Sequence, residues 1–210
     1  MRIVQSELPS GSYHIATPIL TSYVFREAEL TNNSREDLLA GPITVYLDNK
    51  FVGRGEIPTV ARGQTFVVGF GADPQLRARR ELADRTEGVN GGNRELQFAY
   101  RVVIENFKEE PTEIRVVERL PKSVAADIRV TLADGLQDSL SSDKVYRRTE
   151  RPQGILRWDI EAPARSIAEN ARMIDYAYTV EYDRKYKIAV SSSTAQLEQF
   201  KQLQRGRAKR

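Results

Sequence analysis

Cysteine is absent from the 210-residue chain, and histidine and tryptophan each occur once. The first absence excludes disulfides, thiolate zinc sites and cysteine nucleophiles. The single histidine, His14, excludes a multi-histidine metal site, and no Gly-x-Ser-x-Gly turn offers it a serine to activate. Acid–base work would fall to carboxylates alone. The pairs Glu27 with Glu29 and Glu109 with Glu110 read as exposed strand or turn residues, with none of the apolar surroundings that raise a carboxyl pKa. The expectation is a protein that is not an enzyme and needs no cofactor. No apolar run approaches the roughly 18 residues a membrane span needs. The start of the chain also lacks the charged, apolar and small-residue segments of a signal peptide, so a soluble chain is expected.

Charge of one sign is scarce too. The net charge is +3, and Arg205, Arg207, Lys209 and Arg210 carry +4, which leaves −1 for the rest of the chain. The basicity belongs to the end of the sequence and predicts a solvated terminus, with no nucleic-acid surface.

Glycine is gathered in FVGRGEIPTVARGQTFVVGFGADP, residues 51–74. A dinucleotide fingerprint requires a third glycine where Pro58 stands, followed by a helix to hold a pyrophosphate, and neither is present. A Walker-type loop lacks its Lys and Ser or Thr. Gly53, Gly55 and Gly63 therefore read as turn and bulge residues of a sheet.

What is abundant is period-two alternation. Tyr100, Val102 and Ile104 oppose Arg101 and Glu105; Leu156, Trp158 and Ile160 oppose Arg157, Asp159 and Glu161. Ile174, Tyr176, Tyr178, Val180 and Tyr182 oppose Asp175, Thr179 and Glu181. These predict half-buried strands. Ile43, Val45 and Leu47, then Phe66, Val68 and Phe70, extend the pattern into the first half. Short strands separated by turn formers predict an all-β fold of two antiparallel β-sandwich modules, immunoglobulin- or fibronectin-like. The order strand, Asn, loop, strand occurs around Asn32 and again around Asn106, as related modules would show. The expected bounds are 1–88 and 89–192, jointed near Thr86–Gly92, with a short C-terminal helix or tail over 193–210.

Trp158 shares a face with Leu156 and Ile160 and is expected in the core. Tyr46 and Phe51, flanking an Asp-Asn-Lys turn, are the best candidates for an exposed aromatic binding patch, with Arg54 beside them. An alternative site is the loop carrying Asp134, Asp138 and Asp143, whose oxygens could gather calcium, although its spacing is not that of an EF-hand.

The residues Asn32, Asn33, Leu39, Gly41, Pro42, Val52, Gly53, Phe70, Gly71 and Asp73 resemble a block in the conserved C-terminal domain of unknown function of mucoidy-inhibitor-A-type bacterial proteins. Tyr100, Asn106, Leu120, Pro121, Ser123, Gly154 and Trp158 are similar to its second block. The resemblance implies a piece of a larger protein with an N-terminal domain, a coiled-coil middle and often an export signal. It also implies a bacterial envelope or periplasmic setting, and it transfers no catalytic residue. The expectation is a non-catalytic interaction or scaffold module. Its partner would be a protein or a missing part of its own chain, or alternatively a carbohydrate or calcium.

Overall fold

The computed structural model describes residues 7–8, 10–123 and 127–185; the helix or tail expected over 193–210 lies outside them. Ten strands follow in order: β1 (Ser10–Ala16), β2 (Tyr23–Thr31), β3 (Gly41–Leu47), β4 (Lys50–Ile57), β5 (Thr65–Asn90), β6 (Asn93–Asn106), β7 (Thr112–Arg119), β8 (Ile128–Leu132), β9 (Ile155–Ala162) and β10 (Arg172–Asp183). Among the described residues one α-helix, α1 (Lys144–Thr149), stands between β8 and β9. Eight strands pair in the order β8-β10-β6-β5-β2-β1-β7-β9, and β3 and β4 form a separate two-stranded sheet. The all-β expectation is met at the level of strands.

Alternation explains why these segments are strands. Along β10, Ile174, Tyr176, Tyr178, Val180 and Tyr182 are all buried, and the residues between them are not. On β7, Ile114, Val116 and Glu118 are buried, and so is Val117, which means both faces of that strand are covered at its end.

The described chain divides into two compact units, one holding 10–14 and 25–73, the other 15–24 and 74–185. The division falls at residue 73, not near residue 88. Thr86–Gly92, read from its glycines as a joint, is the end of one continuous hairpin in which β5 and β6 pair from Leu76↔Asn106 to Asn90↔Asn93. Gly91 at φ 57° and Gly92 at φ 96° make the two-residue turn whose twist matches the flanking strands.

In the first unit, Asn32 closes the turn after β2, and the β3–β4 hairpin follows. Pro42 opens β3 at the start of the strand, where a missing N–H is tolerated. In the second unit, β10 lies between β6 and β8, and β7 pairs with β9. Although β9 and β10 lie far apart in the strand order, Trp158 of β9 meets Tyr176 of β10 with ring centroids 5.6 Å apart. Within the second unit, β9 and β10 therefore meet at this core. Trp158 is buried, as its alternation requires, and its Nε1 donates to Ser139 Oγ at 3.2 Å.

Two departures from alternation share one cause. Arg157, expected outward, is buried, and α1 is a helix just after the aspartate loop, where no helix was expected. Tyr146 of α1 is fully buried, donates from its hydroxyl to Ile155 O at 3.0 Å, and accepts from Arg157 N. The helix covers the β9 edge and takes Arg157 inside with it. Asp159 Oδ1 (3.0 Å) and Asp143 Oδ1 (3.6 Å) pair with the guanidinium.

Candidate functional site

The β3–β4 hairpin of the first unit holds the exposed aromatic pair. Its turn is Asp48-Asn49, at φ 49° and 61°, a conformation that Asn and Asp tolerate better than other side-chain-bearing residues. The register runs Leu47↔Lys50, Tyr46↔Phe51, then Val45↔Gly53 and Thr44↔Arg54. Val52 is thus an extra residue, a bulge.

The bulge decides what the hairpin displays. Phe51 and Arg54 are three residues apart and would point to opposite faces of a regular strand. With Val52 inserted, Tyr46, Phe51, Thr44 and Arg54 share one face, all exposed. Val45 on the other face is buried, and Ile43 and Leu47 are half-buried. The three residues named from the sequence as a binding patch are therefore brought together. Gly53 and Gly55 lie on the inner face opposite Val45 and Ile43. Gly71, at φ 80°, brings its backbone near Val52, whose Cγ1 stands 3.4 Å from where a Cβ would sit. A side chain there would press on the bulge.

Tyr46 and Phe51 are each 60% exposed, and their rings meet edge to face at 5.9 Å and 70°. Exposed Tyr, Phe and Arg grouped on one face form the composition that protein contact surfaces favour. A flat shared platform for a sugar ring is not formed, because the two planes are steeply inclined.

The aspartate loop is put to other uses. Asp143 caps α1, its Oδ1 accepting from Tyr146 N at 2.7 Å, while Asp138 lies in a short 3-10 turn, Leu136–Ser139, and Asp134 precedes it. Among the described residues no three His, Asp or Glu side chains gather as a metal would require. His14 faces Asp73, Nε2 to Oδ2 at 3.2 Å, both largely buried in the first unit.

One constellation was missed from the sequence. In the second unit, Glu118 on β7 is fully buried; its Oε2 accepts from Tyr176 Oη at 3.0 Å and lies 3.6 Å from Arg80 Nε. The Arg80 guanidinium lies 3.6 Å over the Tyr100 ring, a cation–π contact. Tyr100, Tyr176 and Tyr178 stack beneath, at 5.6 and 5.9 Å. Burial pushes the Glu118 carboxyl up to about 7, opposed by Arg80, the Tyr176 hydrogen bond and the N–H groups of Ile19 and Arg119. The signal was present in Glu-Ile-Arg-Val-Val-Glu: Glu118 keeps the parity of Ile114 and Val116 and so belongs to the inward set. With no exposed surface, its carboxylate cannot touch a substrate in this conformation.

Residues 4–184 match a domain of unknown function, DUF4139. The chain belongs to the DUF4139 family. A relative is Protein F37C4.5 of Caenorhabditis elegans, 24% identical over 200 residues, a match that covers 89% of this chain and 35% of the relative. The DUF4139 chain thus spans about a third of the length of that protein. No solved structure matches it significantly.

Proposed function

We propose that this DUF4139 domain is a non-catalytic contact module of a longer protein. The exposed β3–β4 face meets either another protein or a further part of the same parent chain. The observation that carries this reading is the bulge at Val52, which collects Tyr46, Phe51 and Arg54 on one solvent-facing side. Side chains scattered over a surface need no explanation, but an aromatic pair and a cation assembled by an irregularity suit recognition. The coverage of only 35% of the nematode relative agrees with a module that works beside other segments.

Sugar binding at the same rings is less well supported by their 70° inclination. Calcium binding has no gathered ligand set among the described residues. Immunoglobulin-like packing of the strands and a place in the bacterial envelope are parts of the same proposal. The envelope rests on the resemblance to mucoidy-inhibitor-A-type proteins, while a similar protein occurs in a nematode. No helix among the described residues is long and apolar enough to cross a membrane.

The test is binding of the parent protein to its isolated partner segment, with Tyr46→Ala and Phe51→Ala combined. A loss of tenfold or more in affinity, with an unchanged melting temperature, supports the reading. Unchanged affinity removes the hairpin from it.

A further inference from the structure

The Glu118 cluster has a geometry that a static structural role does not require. Glu118 Oε2 accepts from Tyr176, but Oε1, equally buried, accepts no hydrogen bond of good geometry, and neither does Arg80 Nε donate one. The Arg80 side chain is 17% exposed, so part of it already reaches water. We propose that Glu118 is a proton-operated switch for Arg80. Ionised, it holds the guanidinium between its carboxylate and the Tyr100 ring; protonated on Oε1, it keeps the Tyr176 bond and releases Arg80 towards solvent.

The groups that face Glu118 are few. Arg80 comes from β5, Tyr100 from β6, Tyr176 and Tyr178 from β10, with the backbone N–H groups of Ile19 and Arg119. Burial drives the Tyr176 and Tyr178 hydroxyls above their ordinary range, and Arg80 stays charged throughout. Among Glu118, Arg80, Tyr176 and Tyr178, the Glu118 carboxyl alone changes charge between mildly acidic and mildly basic pH. A buried carboxylate oxygen that accepts no hydrogen bond of good geometry is where a proton is favoured. The released arginine adds a mobile cation to the surface beside β5, so the surface charge of this unit responds to pH without any exposed histidine.

The molecule carries its own reporter. Trp158 is the single tryptophan, and its ring lies against Tyr176, the hydroxyl partner of Glu118. Tryptophan fluorescence of the whole protein, titrated from pH 5 to 9, is expected to show one transition with a midpoint near neutrality. His14→Gln leaves it in place, because His14 belongs to the other unit. Glu118→Gln abolishes it. Persistence of the transition in Glu118→Gln, or a flat wild-type titration, overturns the proposal. Should Glu118→Gln fail to fold, carboxyl-carbon NMR on the wild-type protein decides. One glutamate titrating near neutrality, with the Arg80 Nε resonance moving at the same midpoint, supports the switch; all glutamates titrating below about pH 5.5 contradicts it.

Discussion

Asn32 and Asn106 make the same side-chain clasp, one in each unit. Each Nδ2 donates to the carbonyl four residues on, Glu36 at 3.0 Å and Glu110 at 2.9 Å, and to a distant one, Val60 or Ala162, at 3.1 Å in both cases. Each Oδ1 accepts from the N–H two residues on, Ser34 at 3.2 Å and Lys108 at 3.0 Å. Both residues are fully buried. An Asn side chain supplies two donors and an acceptor in one plane, which no other small residue can do. Asn32→Ala or Asn106→Ala leaves buried carbonyls without partners and is expected to cost on the order of 3 kcal/mol in each case. Urea unfolding measures the loss, and hydrogen exchange should rise first in the unit that carries the substitution. A cost below about 0.5 kcal/mol would mean that the clasp is incidental.

The buried carboxyl of Glu118 sets a pH dependence of stability. Its pKa lies at about 7 in the folded chain against an ordinary 4.5. The folded state therefore binds the proton more tightly, and stability from this group is fully present below pH 4.5 and lost as pH rises through 7. The separation corresponds to about 3 kcal/mol. Glu118→Gln should flatten the slope between pH 5 and 8, as read by chemical denaturation at fixed ionic strength. An unaltered slope would assign that pH dependence to other groups.

Asp159 works in the opposite direction. Burial would raise its carboxyl, but hydrogen bonds from Ser141 and Arg157 and the nearby Arg115 outweigh it and hold the carboxyl below its usual range. Its contribution is present above the ordinary carboxylate range and falls away as pH drops through its lowered value. Arg157→Met removes the buried partner and leaves Asp143 and Asp159 facing each other across the space. A loss of about 3 kcal/mol is expected, with α1 the first element to lose exchange protection.

The hairpin predicts the reverse of a core substitution. Tyr46 and Phe51 form a cross-strand pair worth about 1 kcal/mol at most. Replacing either by Ala should change the unfolding midpoint little. Deleting Val52 restores a regular register in which Phe51 and Arg54, then two positions apart, still share a face with Tyr46. That variant should fold, by circular dichroism, and keep the partner binding that the double alanine variant loses.

Strands, the buried tryptophan, the repeated asparagine and the exposure of Tyr46 and Phe51 were legible because each rests on local information: parity along a strand, or a turn residue at its end. The unit boundary was not, since Gly91 and Gly92 mark a hairpin turn and an interdomain joint with the same composition. Helix α1 was hidden because six residues give too few positions for a helical period, although Asp143 is a proper N-cap. Arg157 followed from that omission. Its polarity argued for the outer face, and only the tertiary cover from Tyr146 and the two aspartates makes an inner one tolerable. The shared face of Phe51 and Arg54 depends on one bulged residue, which strand parity by itself assigns to a regular strand.

The most direct test of the contact-module reading is site-specific photo-crosslinking in the native cell. A benzoyl-phenylalanine replaces Tyr46 in the full parent protein, and Thr86, exposed in the second unit, serves as the control position. The account predicts one discrete adduct at position 46, intramolecular or with a single protein, that Arg54→Glu diminishes and that position 86 does not give. The same smear of adducts at both positions, or none at position 46, would contradict it.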